Sequence, residues 1–246
     1  MKFTIALLAC AVAVFAGDDP AALAAKGLRE IRDHHEKAGE KDLYRAIQTW
    51  QAEPGGPPVA FAAPATVMAT VLEGKRKFAE EQKILDQVDQ IYGSAHPPDG
   101  PDLALFLELK SAALRRSGDA NAAEAAKTRA TAIRDRMVRT LFPAAGPAAP
   151  QPVEMDRADH RPVLVYKMDP DYSEIGKLAR IEGRSVLSVI IEPNGFPSTI
   201  HVVHSLGFGL DENAARAVNR WRFEPGLKGG TPVRVFATIE VNFKLL

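Results

Sequence analysis

The residues of this chain whose types could do chemistry fall into small, separated groups. His34 and His35, flanked by Asp33 and Glu36, are metal-ligand types. Adjacent side chains on a helix diverge, so a solvated or half-buried pair is expected instead. His201 and His204 stand three apart on an expected strand and so face opposite sides, which makes a poor metal pair. Ser188, Ser205 and Asp211 with His204 have the types of a nucleophilic triad, but no spacing here matches a nucleophile elbow. Gly207-Phe208-Gly209 lacks the third glycine and the preceding context of a phosphate cradle, and reads as a turn. Trp221 reads as a core anchor. Arg216, Arg220 and Arg222 read as a solvated basic helix face. The expectation from these groups is therefore no catalytic residue, no metal and no cofactor.

Composition narrows the class of partner. The 31 basic and 31 acidic residues give a formal net charge of zero, without the basic excess that nucleic-acid binders carry. A length of 246 residues is a soft prior for two domains. At the amino terminus, Met1-Lys2 precedes an apolar run from Phe3 to Ala16 that ends in Val14-Phe15-Ala16. This is the layout of a secretory signal peptide, residues 1–16, and the run is shorter than the roughly 20 residues of a membrane span. Leu7-Leu8-Ala9-Cys10 also has the form of a lipobox. Cys10 is thus either a small hydrophobe of the signal or a lipidated anchor. Cleavage after Ala16 would leave a chain without cysteine.

Residues 18–142 read as helical. Leu28, Ile31 and His35, then Leu43, Ile47 and Trp50, recur at helical spacing, as do the apolar residues from Val67 to Ile91. Pro54-Gly55-Gly56-Pro57-Pro58 and His96-Pro97-Pro98-Asp99-Gly100-Pro101 punctuate these runs. The last hairpin, Asp102–Ser117 and Ala120–Leu141, places Gly118, Ala123 and Ala130 as a tetratricopeptide hairpin does, and the unit is similar to such repeats. Residues 143–162 are Pro/Ala-rich and read as an extended linker.

Residues 163–246 form a second unit. Asp171 has the spacing to cap a helix that runs to about Ile181, with Glu174 reaching back. Arg184–Glu192 and Thr199–His204 read as strands joined at Pro193-Asn194-Gly195, where Asn-Gly suits a type I′ turn. Asp211 suits the cap of a second helix whose face carries Ala214, Val218 and Trp221, and Pro225-Gly226 ends it. In the final strand Val235, Ala237, Ile239, Val241, Phe243 and Leu245 alternate with polar residues, Phe236 excepted. The expected architecture is an α+β carboxy-terminal domain, two helices packed on a small antiparallel sheet, preceded by an all-α domain of helical hairpins. Such a sheet has open edges that a partner segment can join as a strand.

Tyr172, Gly183, Gly195, Leu210-Asp211, Trp221-Arg222-Phe223 and Pro225, in this order and ahead of the Pro232–Phe243 strand, resemble the TonB C-terminal domain family. The resemblance covers about 163–246 and implies structural roles for those residues. It also implies strand addition of an extended segment of an outer-membrane transporter, or another envelope protein, along Val233, Arg234, Phe236, Thr238, Glu240 and Asn242. Tyr172 is followed by Ser173 where the family commonly has proline, and Gly176 stands where it has alanine. An energy-transducing member has an uncleaved membrane anchor and a long Pro-rich spacer, and here a helical domain takes the spacer's place. The expectation is a periplasmic, non-enzymatic TonB-like binding protein of TonB-dependent transport, meeting a proton-driven motor at most indirectly and able to form a homodimer through its sheet edge. The alternative is a periplasmic scaffold that works through its helical repeat domain and is anchored by the TonB-like unit.

Overall fold

The computed structural model describes residues 19–143 and 150–245. The expected signal peptide with Cys10, residues 144–149 of the expected linker, and Leu246 lie outside the described residues.

The amino-terminal part is a series of helical hairpins: α1 (Pro20–Arg32) with α2 (Glu36–Gln51), α3 (Ala62–Gly74) with α4 (Phe78–Ala95), and α5 (Pro101–Ser117) with α6 (Ala120–Leu141). Local chemistry sets the starts. Asp19 accepts the Ala21 N–H ahead of Pro20, and Asp119 accepts the Ala122 N–H, both at 3.0 Å. α1 and α2 cross at Gly27 and Gly39, where a Cβ on Gly27 would come within 2.8 Å of the Gly39 carbonyl. The α5–α6 hairpin closes on buried Ala123 and Ala130, and Ser111 donates its hydroxyl to the Ala123 carbonyl at 2.8 Å. Phe61, Met68, Phe106, Leu109 and Ile133 are buried among these helices. No described helix is long and apolar enough to cross a membrane.

The carboxy-terminal part contains β1 (Val163–Tyr166), α7 (Glu174–Leu178), β2 (Gly183–Ile191), β3 (Pro197–His204), α8 (Leu210–Val218), β4 (Arg222–Glu224), β5 (Gly226–Lys228), β6 (Thr231–Val233) and β7 (Val235–Phe243). The main sheet is antiparallel in the order β3-β2-β7; β1 pairs with β4 and β5 with β6. β7 alternates strictly between buried and exposed residues, so one face of the sheet is core and the other faces water. α8 lies on β2 and β3, while α7 sits between α8 and α3. Leu187, Ile191, Ile200, Leu210, Val218 and Trp221 form the core.

Several local expectations are corrected. Ser173, not Asp171, caps α7: its hydroxyl accepts the Gly176 N–H at 3.0 Å and donates to the Phe208 carbonyl at 2.5 Å, and the helix ends at Leu178. Asp211 lies inside the first turn of α8, after a cap at Gly209. That helix stops at Val218, because Trp221 turns its indole N–H to the Met168 carbonyl at 2.8 Å and the next residues pair as β4. The hairpin turn is not type I′. Asn194 does not have positive φ, Gly195 does (+79°), and the Gly195 N–H bonds the Glu192 carbonyl at 2.8 Å. Pro193, with φ held near −65°, suits the first corner of a type I turn, and the left-handed residue falls to Gly195. A Cβ there would also run into the Phe223 carbonyl.

The two parts pack directly on each other. Val138 of α6 is buried in the sheet core, and Ala179 and Phe208 are buried in the helical core. Between them Arg134 donates to Glu108 through Nε (2.8 Å) and Nη2 (3.0 Å), and to Glu212 through Nη1 (3.2 Å). Glu108 also accepts the Phe208 N–H at 2.7 Å. Burial pushes the Glu108 carboxyl up, against the pull of Arg134.

Candidate partner-binding edge

A three-stranded sheet has two edges, and in this chain they are treated differently. The β3 edge faces the helices. The Asp135 carboxylate on α6 accepts the outward Val202 N–H at 3.0 Å, and the same oxygen is 3.4 Å from His201 Nδ1. A side chain thus takes the place of a fourth strand, which blocks pairing there.

The β7 edge is open over part of its length. The outward Phe236 N–H fixes the parity of the strand: in antiparallel pairing, successive residues turn their backbone groups to opposite sides. Val235, Ala237, Ile239, Val241 and Phe243 therefore bond towards β2, their register partners running from Ile191 back to Gly183. Arg234, Phe236, Thr238, Glu240 and Asn242 present N–H and C=O to the outside. The first of these are engaged. The Arg234 carbonyl accepts the Val153 N–H and the Phe236 N–H donates to the Val153 carbonyl, both at 2.9 Å. From Thr238 on, no strand or bridge covers the outer edge among the described residues.

Of the residues assigned to the edge from sequence, Thr238, Glu240 and Asn242 lie on this open stretch with exposed side chains. Val233 belongs instead to β6, opposite Gly226. Arg234 is 8% exposed and holds the Glu192 carboxylate through Nε (2.9 and 3.1 Å) and Nη2 (2.9 Å). Despite burial, Arg234 and the Ser198 hydroxyl hold the Glu192 carboxyl below its ordinary value. Phe236 is exposed, but its N–H is taken by Val153. Beside the open stretch, Arg184 Nη1 is 3.4 Å from Glu240 Oε2.

Of the motif residues, Tyr172 and Gly183 meet the end of β7, and the others hold the rest of the carboxy-terminal part together. Tyr172 donates its hydroxyl to the Ile181 carbonyl and meets the Phe243 ring edge-on at 5.5 Å. Gly183 begins β2 at φ +147°, and Leu210 is fully buried. Asp211 accepts from the hydroxyls of Ser185 (2.7 Å) and Ser205 (2.5 Å) and from the N–H groups of Leu206 and Gly207 (2.9 Å each). It fixes the β3–α8 loop to β2. The Arg222 guanidinium lies 3.8 Å from the Phe196 ring centre, Phe223 pairs with Leu164, and Pro225 joins β4 to β5.

The other chemistry-bearing residues do not converge. His34 Nδ1 lies 3.1 Å from Glu174 Oε2, while His35 stands at the start of α2. His204 is exposed and Ser188 pairs in the ladder opposite His201, so Ser205 and Asp211 have no histidine in line with them. Arg216 bonds Asn213, and Arg220 reaches the Met168 sulfur. Among the described residues there is no cluster of metal-ligating side chains.

Sequence reading missed Val153, Asp135 and the Arg134–Glu108–Glu212 group, because each acts on residues far away in the chain. It also missed β1, although the run Val163-Leu164-Val165-Tyr166 between Pro162 and Pro170 is a strand signal.

Residues 168–245 match the family model described as Gram-negative bacterial TonB protein C-terminal. Protein TonB of Vibrio cholerae is 30% identical over 97 residues, 39% of this chain and 38% of that protein. Protein tonB2 of Pseudomonas aeruginosa is 34% identical over 77 residues, 31% of this chain and 28% of that protein. The chain thus spans about a third of the length of the curated relatives it matches. The solution structure of the Pseudomonas aeruginosa TonB C-terminal domain is 29% identical and aligns over 38% of this chain and 93% of that one, with a TM-score of 0.31. The residues matched by the family model carry the β7 edge, and the carboxy-terminal third of this chain is similar to the TonB C-terminal domain family.

Proposed function

We propose that this is a non-enzymatic, periplasmic TonB-like protein of TonB-dependent transport, and that it binds an extended segment of an outer-membrane transporter by strand addition to β7. The observation that carries this reading is the asymmetry of the sheet: Asp135 takes the outward Val202 N–H of β3, while among the described residues no strand or bridge pairs the outer side of β7 from Thr238 to Asn242. Main-chain bonds would give the affinity, and the exposed Thr238, Glu240 and Asn242 side chains would select the partner. The relatives named TonB and the matching family model support the transport setting. The helical hairpins supply a second protein-binding surface, held rigidly to the first by Arg134. Contact with a proton-driven motor is indirect in this reading, and any homodimer forms through the same β7 edge.

The test is photo-crosslinking in intact cells from Thr238 and Glu240, with the captured protein identified by mass spectrometry. Capture of an outer-membrane transporter is the expected result. Only self-crosslinks, or none while the helical residues 19–142 still capture a partner, would replace this reading by a scaffold that works through its helices.

A further inference from the structure

The segment 150–161 does not hang free between the two parts. It is tied down at one end by Arg234, which donates Nη1 to the Pro150 carbonyl at 2.6 Å while its other nitrogens hold Glu192. Val153 then makes a parallel bridge to Val235, taking the Arg234 carbonyl and the Phe236 N–H. After one bridge the segment leaves the ladder. It turns as a 3₁₀ helix over Met155–Arg157, which packs on β7 with Met155 against the sheet core. The other end is tied to β5: the Asp159 N–H donates to the Leu227 carbonyl at 2.8 Å, the Leu227 N–H to the His160 carbonyl at 2.9 Å, and Asp159 Oδ2 accepts the Gly229 N–H at 2.5 Å. A strap fixed at both ends therefore crosses the edge that the proposed function requires to be open.

We propose that this strap is a register stop for the strand that β7 accepts. The proposal rests on the strand-addition reading and adds to it. A free strand edge lets an added segment slip, because backbone groups repeat every two residues and one position looks like the next. Here the ladder is closed at Phe236 by Val153. An added strand must begin or end beside Thr238 and can use the outward groups of Thr238, Glu240 and Asn242 only. At about 3.4 Å per residue, the stretch from Thr238 to Phe243 takes a segment of about six residues, roughly 20 Å. The strap thereby limits the partner's paired length and fixes which of its side chains stands opposite Thr238 and Glu240. Val153 and Arg234 are positioning residues for this recognition: Val153 blocks, and Arg234 holds the block in place.

The test uses the full chain in cells with a photo-crosslinking phenylalanine analogue placed singly at Phe236, Thr238, Glu240 or Asn242. It is run with the natural strap and with Val153→Pro, which removes the N–H given to the Arg234 carbonyl. Amide exchange of the purified protein is measured alongside. Expected are strong partner crosslinks from 238 and 240, crosslinks from 236 at least five-fold weaker, and a rise at 236 to the level of 238 in Val153→Pro. The Phe236 amide is expected to exchange at least ten-fold more slowly than that of Thr238 in the natural protein, and to lose this protection in the variant, where the carbonyl at 153 remains but the bridge that holds it against Phe236 is broken. A Phe236 amide as fast as Thr238 in the natural protein overturns the proposal without recourse to any variant. So do equal crosslinks from 236 and 238 with the strap intact, and so does a silent 236 in a variant whose Phe236 amide has been released. Absence of a partner crosslink at every position, with the Phe236 amide still protected, instead sinks the strand-addition reading on which the stop depends.

Discussion

Arg134→Met removes the group that joins the helices to the sheet, and the size of the loss can be worked from its surroundings. The Arg134, Glu108 and Glu212 side chains are 4%, 8% and 7% exposed, so water cannot replace the lost partner. Glu212 Oε2 has no hydrogen-bond partner to begin with, and Oε1 would lose the one it has. Breaking a buried ion pair from one side costs about 3–5 kcal/mol. Protonation limits that cost: at about 1.4 kcal/mol per pH unit, neutralising a carboxyl of ordinary pKa 4.5 at pH 7 costs roughly 3.4 kcal/mol, and burial has already moved Glu108 part of the way. The sign of the pH dependence follows. The native variant keeps a proton that the native parent releases, so the variant's deficit shrinks as pH falls. Urea unfolding can be followed from both parts, since the two tryptophans, Trp50 and Trp221, lie in the helical core and the sheet core respectively. The parent should give coincident curves. With a urea dependence of about 2–3 kcal/mol per molar, a loss of about 4 kcal/mol lowers the variant's midpoint at pH 7.5 by about 1.5 M. The shift should be visibly smaller at pH 5.5. A loss under about 1 kcal/mol at pH 7.5, or an equal loss at the two pH values, would refute the reasoning.

Proline at 238 and at 239 should part binding from folding. Thr238 turns its N–H outwards, so Thr238→Pro should leave the thermal midpoint within a few degrees while removing partner crosslinks at Glu240. Ile239→Pro breaks the ladder to β2, costs about 3 kcal/mol or more, and should unfold the sheet first; equal stability of the two variants would contradict the parity derived for β7. Glu81 is buried with Oε1 unpartnered, and burial, then its neighbour Glu73, pushes its carboxyl up to about 8 from 4.5. The native state binds a proton that the unfolded chain releases between those values, so stability falls as pH rises from about 4.5 to 8. Glu81→Gln should flatten that fall, and an unchanged slope of melting temperature against pH would exclude Glu81 as its source. Asp211→Asn offers an N–H₂ to a site built from donors and should lose about 3 kcal/mol in chemical unfolding; a loss below about 1 kcal/mol would mean the four bonds to Asp211 do not hold the loop.

What the sequence made legible is what depends on near neighbours. The alternation of β7 is visible because one face of a strand meets the core at every second residue. The hairpin of α5 and α6 is visible because Gly118 and the small residues Ala123 and Ala130 mark a turn and a close crossing. Asp211 was legible as an important acid but not in its role. A carboxylate near a helix start looks like a cap, and the Ser185 hydroxyl that claims it comes from 26 residues earlier. The linker was misleading for a similar reason. Pro- and Ala-rich composition says that a segment cannot build its own ladder. It does not say that a neighbouring strand will not lend it one, as β7 does for Val153.

The same limit bears on the edge itself. Residues 163–245 contain the strands that make both sheet edges, but the groups that pair with the outer sides of those edges among the described residues come from outside that range. The β3 edge is met by Asp135, on a helix outside the family match, through a bond to Val202 that spans 67 positions. The strap at Val153 likewise lies outside the matched residues 168–245. The segment that resembles TonB thus provides a strand able to pair on either side of its sheet. The segments outside those matched residues take the Val202 N–H of β3 and shorten the free length of β7, and so determine where, and over what length, a partner can add.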